Sequence, residues 1–220
     1  MWVGFPPGTV RKLNSQKPAR KSELSQNMSD PKRPHETPEE RERAKIARFS
    51  QYVLSQEAWF GIADELEAAM KLLEPQIEHF WECFRADAGV VEKKDSEPAP
   101  KHSLINAHMM LAGFAIENLC KGYLAGRLSW EEKEDVKSGG KLPQTWRTHE
   151  ILELVLSTGL EVTDIEKDLL KRIGDAIWRG RYPGPTSHKE IEPFAQWGCD
   201  VPRIRTVLQK LRAHVGAKDS

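Results

Sequence analysis

The chain has 220 residues, 39% of them hydrophobic and 30% charged, with a mean hydropathy of -0.60; this suffices for one ordinary domain with solvated tails, or two small ones. Thirty-three Lys and Arg balance thirty-three Asp and Glu, which excludes a whole-molecule field of the kind that marks general nucleic-acid or membrane-surface binders, so any basic site is local. No apolar run approaches the roughly 18 residues of a membrane span, the opening MWVGFPPGTVRK lacks the order of a secretory signal, and Cys83, Cys120 and Cys199 form neither a CxxC pair nor a zinc spacing; the expectation is a cytoplasmic protein with no disulfide, metal or cofactor.

Residues 1–37 are rich in Pro, Ser, Lys and Asn without an apolar period, and are expected to form a disordered tail. Within residues 1–27, Arg11, Lys12, Lys17, Arg20 and Lys21 face one acid, Glu23, which reads as a solvated basic tail or a nucleic-acid arm. Met28, followed by Ser-Asp-Pro, is an alternative start.

From Thr37 the texture changes: Thr37-Pro38-Glu39-Glu40 supplies an N-cap, a proline at the first helical position and acids in the first turn. Beyond this first helix, Trp59, Ala63, Leu66, Met70, Leu73, Ile77, Phe80 and Phe84 recur at steps of four and three, the seam of a long amphipathic helix. Pro75 lies inside it and predicts a kink near Lys71. Residues 87–101 read as a charged connection. Residues 103–127 carry Ile105, Met109, Ala112, Ile116, Leu119 and Tyr123 on one side and Met110, Phe114 and Leu124 on the other, so this helix belongs in the middle of a bundle. Residues 129–147 read as a polar connection. Thr148 predicts the N-cap of a short helix bearing Ile151, Leu152, Val155 and Leu156. Thr163 and Glu166 form a capping box before a helix whose stripe is Ile165, Leu169, Ile173 and Ile177. Asp200 predicts the cap of a last helix, with Ile204, Leu208, Leu211 and Val215 inward. The fold class is all-α, a single helical bundle over residues 38–216, with 217–220 a tail. Trp130, Trp146 and Trp197 fall in or beside connections, and Trp178 is expected in the core.

Three features could carry chemistry. Glu117 and Lys121 lie four apart on the most apolar helix; a charged pair there is a structural salt bridge or faces a polar pocket shared with other helices. His149 is placed in the first turn of the short helix, as a core-edge histidine or a functional imidazole held neutral by the helix's positive end. The third feature is the run from Trp178 to His188, in which Arg181 precedes His188 by six intervening residues. Arg matches phosphate with a fixed fork and His moves protons near neutrality. Over residues 179–212, Arg179, Arg181, Lys189, Arg203, Arg205, Lys210 and Arg212 stand against Glu190, Glu192 and Asp200, a local basic region.

The order Ala115-Ile116-Glu117-Asn118-Leu119-Cys120-Lys121, then Thr148-His149-Glu150-Ile151-Leu152, then Arg181-Tyr182-Pro183 resembles the HEPN domains of prokaryotes, over about residues 102–190. The resemblance implies a four- or five-helix bundle and, in active members, a metal-independent ribonuclease whose Arg is followed four to six residues later by His. Arg181 and His188 would then be catalytic, with Glu117, Lys121, His149, Arg179 and Tyr182 supporting or binding substrate. It also implies a homodimer with both motifs in one cleft, which makes Gly113 and Gly122 candidates for close helix contact within or between subunits. Tyr182, Pro183 and Pro185 stand where active members carry a polar residue after the Arg. Two functions therefore follow: an RNA-cleaving protein of the toxin or phage-defence kind, for which an antitoxin is a candidate partner, or an inert module binding RNA, a nucleotide or a protein. A helical interaction protein without a nucleic-acid role is the third, suggested by the seam from Trp59 to Phe84.

Overall fold

A computed structural model describes residues 37–91, 98, 100–181 and 200–216. The chain divides into two units, Met1–Thr37 and Pro38–Ser220, and the second carries the helices α1 (Pro38–Val53), α2 (Gln56–Asp87), α3 (Ile105–Arg127), α4 (Trp130–Gly139), α5 (Ile151–Ser157), α6 (Asp164–Arg181) and α7 (Asp200–Gly216). The architecture is all-α, and no strand occurs among the described residues.

α2 opens where the Ser55 side chain accepts a hydrogen bond from the Ala58 N–H, and it continues unbroken through Pro75. Ala63, Met70 and Ile77, seven residues apart, are buried along its inner face. α3 packs against it in the opposite direction: His108 meets Glu74, Gly122 abuts Phe60 and Gly126 abuts Gln56. That register sets Ile105, the first residue of α3, opposite Ile77, so the last turns of α2 overhang α3. Phe84, expected in the seam, is accordingly 56% exposed, with its ring edge-on to Trp81 at 5.5 Å.

α3 is the central helix, and fourteen of its residues are buried. Its two inner glycines serve packing within the subunit: a Cβ at Gly113 would lie 2.5 Å from Ile177 Cδ1 on α6, and one at Gly122 would lie 2.6 Å from Phe60 Cε1 on α2.

The segment expected as a polar connection after α3 contains α4, opened by a capping box in which the Ser129 side chain accepts from the Glu132 N–H and the Glu132 side chain accepts from the Ser129 N–H. Only Val136 of α4 is buried, so no apolar stripe announces it. Trp146 is buried against Val53, Ala125 and Val136, whereas Trp130 is exposed; Trp197 lies outside the described residues.

α5 starts at Ile151, later than expected. Thr148 Oγ1 accepts from the Glu150 N–H, a local turn that competes with the helix and leaves His149 ahead of the first turn. The capping box of α6 is present, with the Glu166 N–H on Thr163 Oγ1 at 3.3 Å and the Thr163 N–H on Glu166 Oε2 at 2.7 Å. Its buried face is Leu169, Leu170, Ile173, Ala176 and Ile177. Ile165 falls at the edge of that arc, in the first turn, and is 64% exposed; Trp178 lies on the opposite side and is 55% exposed, not in the core.

α7 buries Val201, Ile204, Val207, Leu208, Leu211 and Val215. Asp200 is its first residue, and its carboxylate turns to α6, where Arg172 holds both oxygens. Three cationic residues of α7 meet acids from other helices: Arg205 on Glu74 at 2.5 Å, Lys210 on Glu166 at 3.0 Å, and Arg212 on Asp64 and on Glu67, the latter at 2.8 Å; Arg203 lies 3.9 Å from Asp200 of its own helix. The basic surplus counted along the chain is therefore largely neutralised in space on this helix.

Candidate functional site

Two of the three chemical features meet. Glu117 on α3 is buried, and its two carboxylate oxygens serve two different partners. Lys121 Nζ donates to Oε1 at 2.5 Å, one helical turn along, and His149 Nδ1 contacts Oε2 at 2.9 Å. The lysine side chain is 6% exposed, the glutamate 9% and the imidazole 40%. A carboxylate is an acceptor only, so Nδ1 is the donor in this contact and Nε2 is turned away from Glu117. The lysine lies 5.8 Å from the Trp59 ring centroid, a cation–π contact that adds to its binding in a poorly hydrated place. The outcome is an imidazole at the surface whose orientation is set from below by a buried ion pair.

The imidazole borders a cleft of about 450 Å³ between α5 and α6, lined also by Glu153, Lys171, Gly174, Asp175 and Trp178. Apart from Trp178, expected in the core, these residues carried no sequence signal of a site, although Lys171, Asp175 and Trp178 recur at steps of four and three and so share one flank of α6. Arg179 is exposed one residue beyond Trp178. Arg181 is the last residue of α6; its side chain, together with Tyr182 and His188, lies outside the described residues. The structure thus brings Glu117, Lys121 and His149 together, with His149 at the flank of the helix that ends in Arg181.

A second histidine escaped notice in the sequence. His108 on α3 is wholly buried, with Nε2 3.5 Å from Glu74 Oε1 and Nδ1 without a hydrogen-bond partner. Burial pushes its pKa below the ordinary 6.5, against the pull of Glu74. Cys120, beside Glu117 in sequence, is fully buried, and burial drives its thiol pKa up, which makes it a filler of space and not a nucleophile. Among the described residues no group of three His, Cys, Asp or Glu is arranged to hold a metal ion, and no helix is long and apolar enough to cross a membrane. No family model, curated protein or solved structure matches the chain.

Proposed function

We propose that this chain is a HEPN-like bundle acting as a metal-independent endoribonuclease of the toxin or phage-defence kind. The observation that carries the reading is the bridge from Lys121 through Glu117 to His149, because it joins two of the three segments on which the resemblance rests and orients an imidazole beside the helix that leads into the third. In the reaction, a ribose 2′-hydroxyl attacks the adjacent phosphorus and the 5′ oxygen leaves, giving a 2′,3′-cyclic phosphate. His188 takes the proton from the 2′-hydroxyl or returns one to the leaving oxygen, and Arg181 holds the charge that builds on the phosphoryl oxygens. Glu117 and Lys121 fix His149 toward the same substrate, Arg179 adds positive charge, and Tyr182 stacks on a base. A homodimer places two such motifs in one cleft, and an antitoxin is the natural protein partner.

The second reading is an inert module of the same kind that binds RNA, a nucleotide or a protein. It is favoured by the pairing of Arg205, Lys210 and Arg212 with acids, which spends on structure the charge that would otherwise grip phosphate. The full chain and its Arg181→Ala and His188→Ala variants, each incubated with mixed RNA in EDTA, separate the two. The enzyme reading expects cleavage that falls on the order of 100- to 10,000-fold in either variant. Cleavage by all three proteins alike, or by none, rejects it; RNA binding that weakens steeply with salt would then support the inert module.

A further inference from the structure

We infer that the cleft between α5 and α6 is a nucleobase pocket selective for guanine, with the base stacked on Trp178 and its donor edge on Asp175. This rests on the RNA reading above and adds to it a choice of base. At about 450 Å³ the cleft falls within the range of small-molecule sites, about 300–1,000 Å³.

Three features of the lining point to a base. Trp178 leaves a large aromatic side chain 55% exposed on the flank of α6, and single-stranded RNA is read chiefly by stacking bases on such platforms. The charges then decide which part of a nucleotide enters. Glu150, Glu153 and Asp175 outnumber Lys171 among the lining residues, so the cleft repels phosphate and favours an uncharged group rich in N–H donors. Guanine alone among the four bases presents two adjacent donors, N1–H and N2–H₂, which a carboxylate accepts together. On adenine and cytosine a ring nitrogen acceptor lies beside the single amine, and on uracil the one N–H lies between two carbonyls, so each would set a lone pair against the carboxylate.

The third feature is Gly174, which lines the cleft. A Cβ there would make only ordinary contacts, 3.8 Å from the His149 carbonyl oxygen and 3.9 Å from the Ile151 nitrogen. Packing therefore does not demand glycine at this position, and a glycine inside a helix is destabilising relative to alanine. What the missing side chain leaves is room, beside His149 and Ile151 of the lining, that a methyl group would take. His149, at the rim, connects this pocket to Glu117, so a seated guanine lies next to the oriented imidazole.

The test is calorimetric titration of the full chain, and of the Asp175→Asn, Trp178→Ala and Gly174→Ala variants, with the dinucleoside monophosphates GpU, ApU, CpU and UpU, each 2′-O-methylated on the first ribose so that no 2′-hydroxyl is there to attack. The wild type is expected to bind GpU about tenfold or more tighter than the other three, since a good bidentate contact to a base edge discriminates by at least that order. Asp175→Asn removes the preference, Trp178→Ala weakens all four about tenfold or more, and Gly174→Ala weakens all four while raising the melting temperature. Equal binding of the four by the wild type, or a guanine preference that survives Asp175→Asn, overturns the inference. Mixed RNA run in parallel keeps the two readings apart: guanine-selective binding without cleavage sinks the enzyme alone, and cleavage without guanine selectivity sinks the pocket alone.

Discussion

His108 is wholly buried and has one ring nitrogen near Glu74 and the other without a partner. The charged groups that face it are Glu74 from α2 and, across that carboxylate, Arg205 from α7. Desolvation disfavours the imidazolium and is the largest cause of the lowered pKa; the glutamate opposes it and the arginine reinforces it. The sign of the consequence follows from linkage. Because the folded value lies below the unfolded 6.5, the unfolded chain binds more protons in that window. The contribution of His108 is thus intact above pH 6.5 and is lost as pH falls through the folded pKa. Urea unfolding at pH 7.5 and 5.5 should show the wild type losing more stability on acidification than His108→Gln; equal losses in both proteins would refute the assignment. These residues also mark what the sequence hides. The spacing of four between Glu117 and Lys121 is visible on inspection and is indeed a buried pair. The partner of His149 and the partner of His108 lie 32 and 34 residues away, on other elements, and no local pattern announces either.

At the scale of elements, close approach of helices sets the tolerances. Gly113 sits where α3 meets α6, and a methyl group there would fall within 3 Å of both Ile177 and Ile173. Gly113→Ala should therefore cost about 1–3 kcal/mol through overpacking, despite alanine's better helix propensity. The combined variant Gly113→Ala with Ile177→Val should recover part of that loss, because the residues share one contact. Denaturant melts of both variants check this, and a single variant as stable as wild type would refute the account. Glycines inside an apolar helix already suggested close contact in the sequence, and the long seam of α2 was legible wherever α3 lies opposite, at Ala63, Met70 and Ile77. It failed at Phe84, whose exposure depends on where α3 begins. α4 failed to register for the complementary reason: its stability rests on a cap and on one buried valine, so hydrophobic periodicity had nothing to report, although Ser129 and Glu132 carried the capping signal. Trp178 went wrong through composition, since a tryptophan next to Ile177 in an amphipathic helix looks apolar until the helical angle places it outside.

The whole molecule is closed by charges drawn from distant parts of the chain. Counted along residues 179–212, the region looks basic, but the bundle brings Asp64, Glu67 and Glu74 from α2 and Glu166 from α6 onto the cations of α7. The tightest of these closures is the clamp between α6 and α7. Arg172 donates through its two terminal nitrogens to Asp200 at 2.5 and 3.1 Å and through Nε to Asp168 at 3.0 Å. The Asp200 side chain is wholly buried and that of Arg172 is 13% exposed. Hydrogen bonding to Asp200 is the first cause that raises the guanidinium's pKa, so the arginine stays charged at any pH where the bundle folds. The pair ties the middle of α6 to the first residue of α7. Arg172→Met removes the partner that holds both oxygens of a buried carboxylate and leaves Arg203, at 3.9 Å, as a weaker one, at a cost of about 3–5 kcal/mol. Adding Asp200→Leu removes the buried charge and replaces an ion pair by apolar contact, which is often neutral or stabilising. Urea unfolding should therefore rank wild type and the double variant together, well above Arg172→Met alone. A single variant within about 1 kcal/mol of wild type, the value of an exposed surface pair, would show that Asp200 reaches water in solution and that the clamp does not close the bundle.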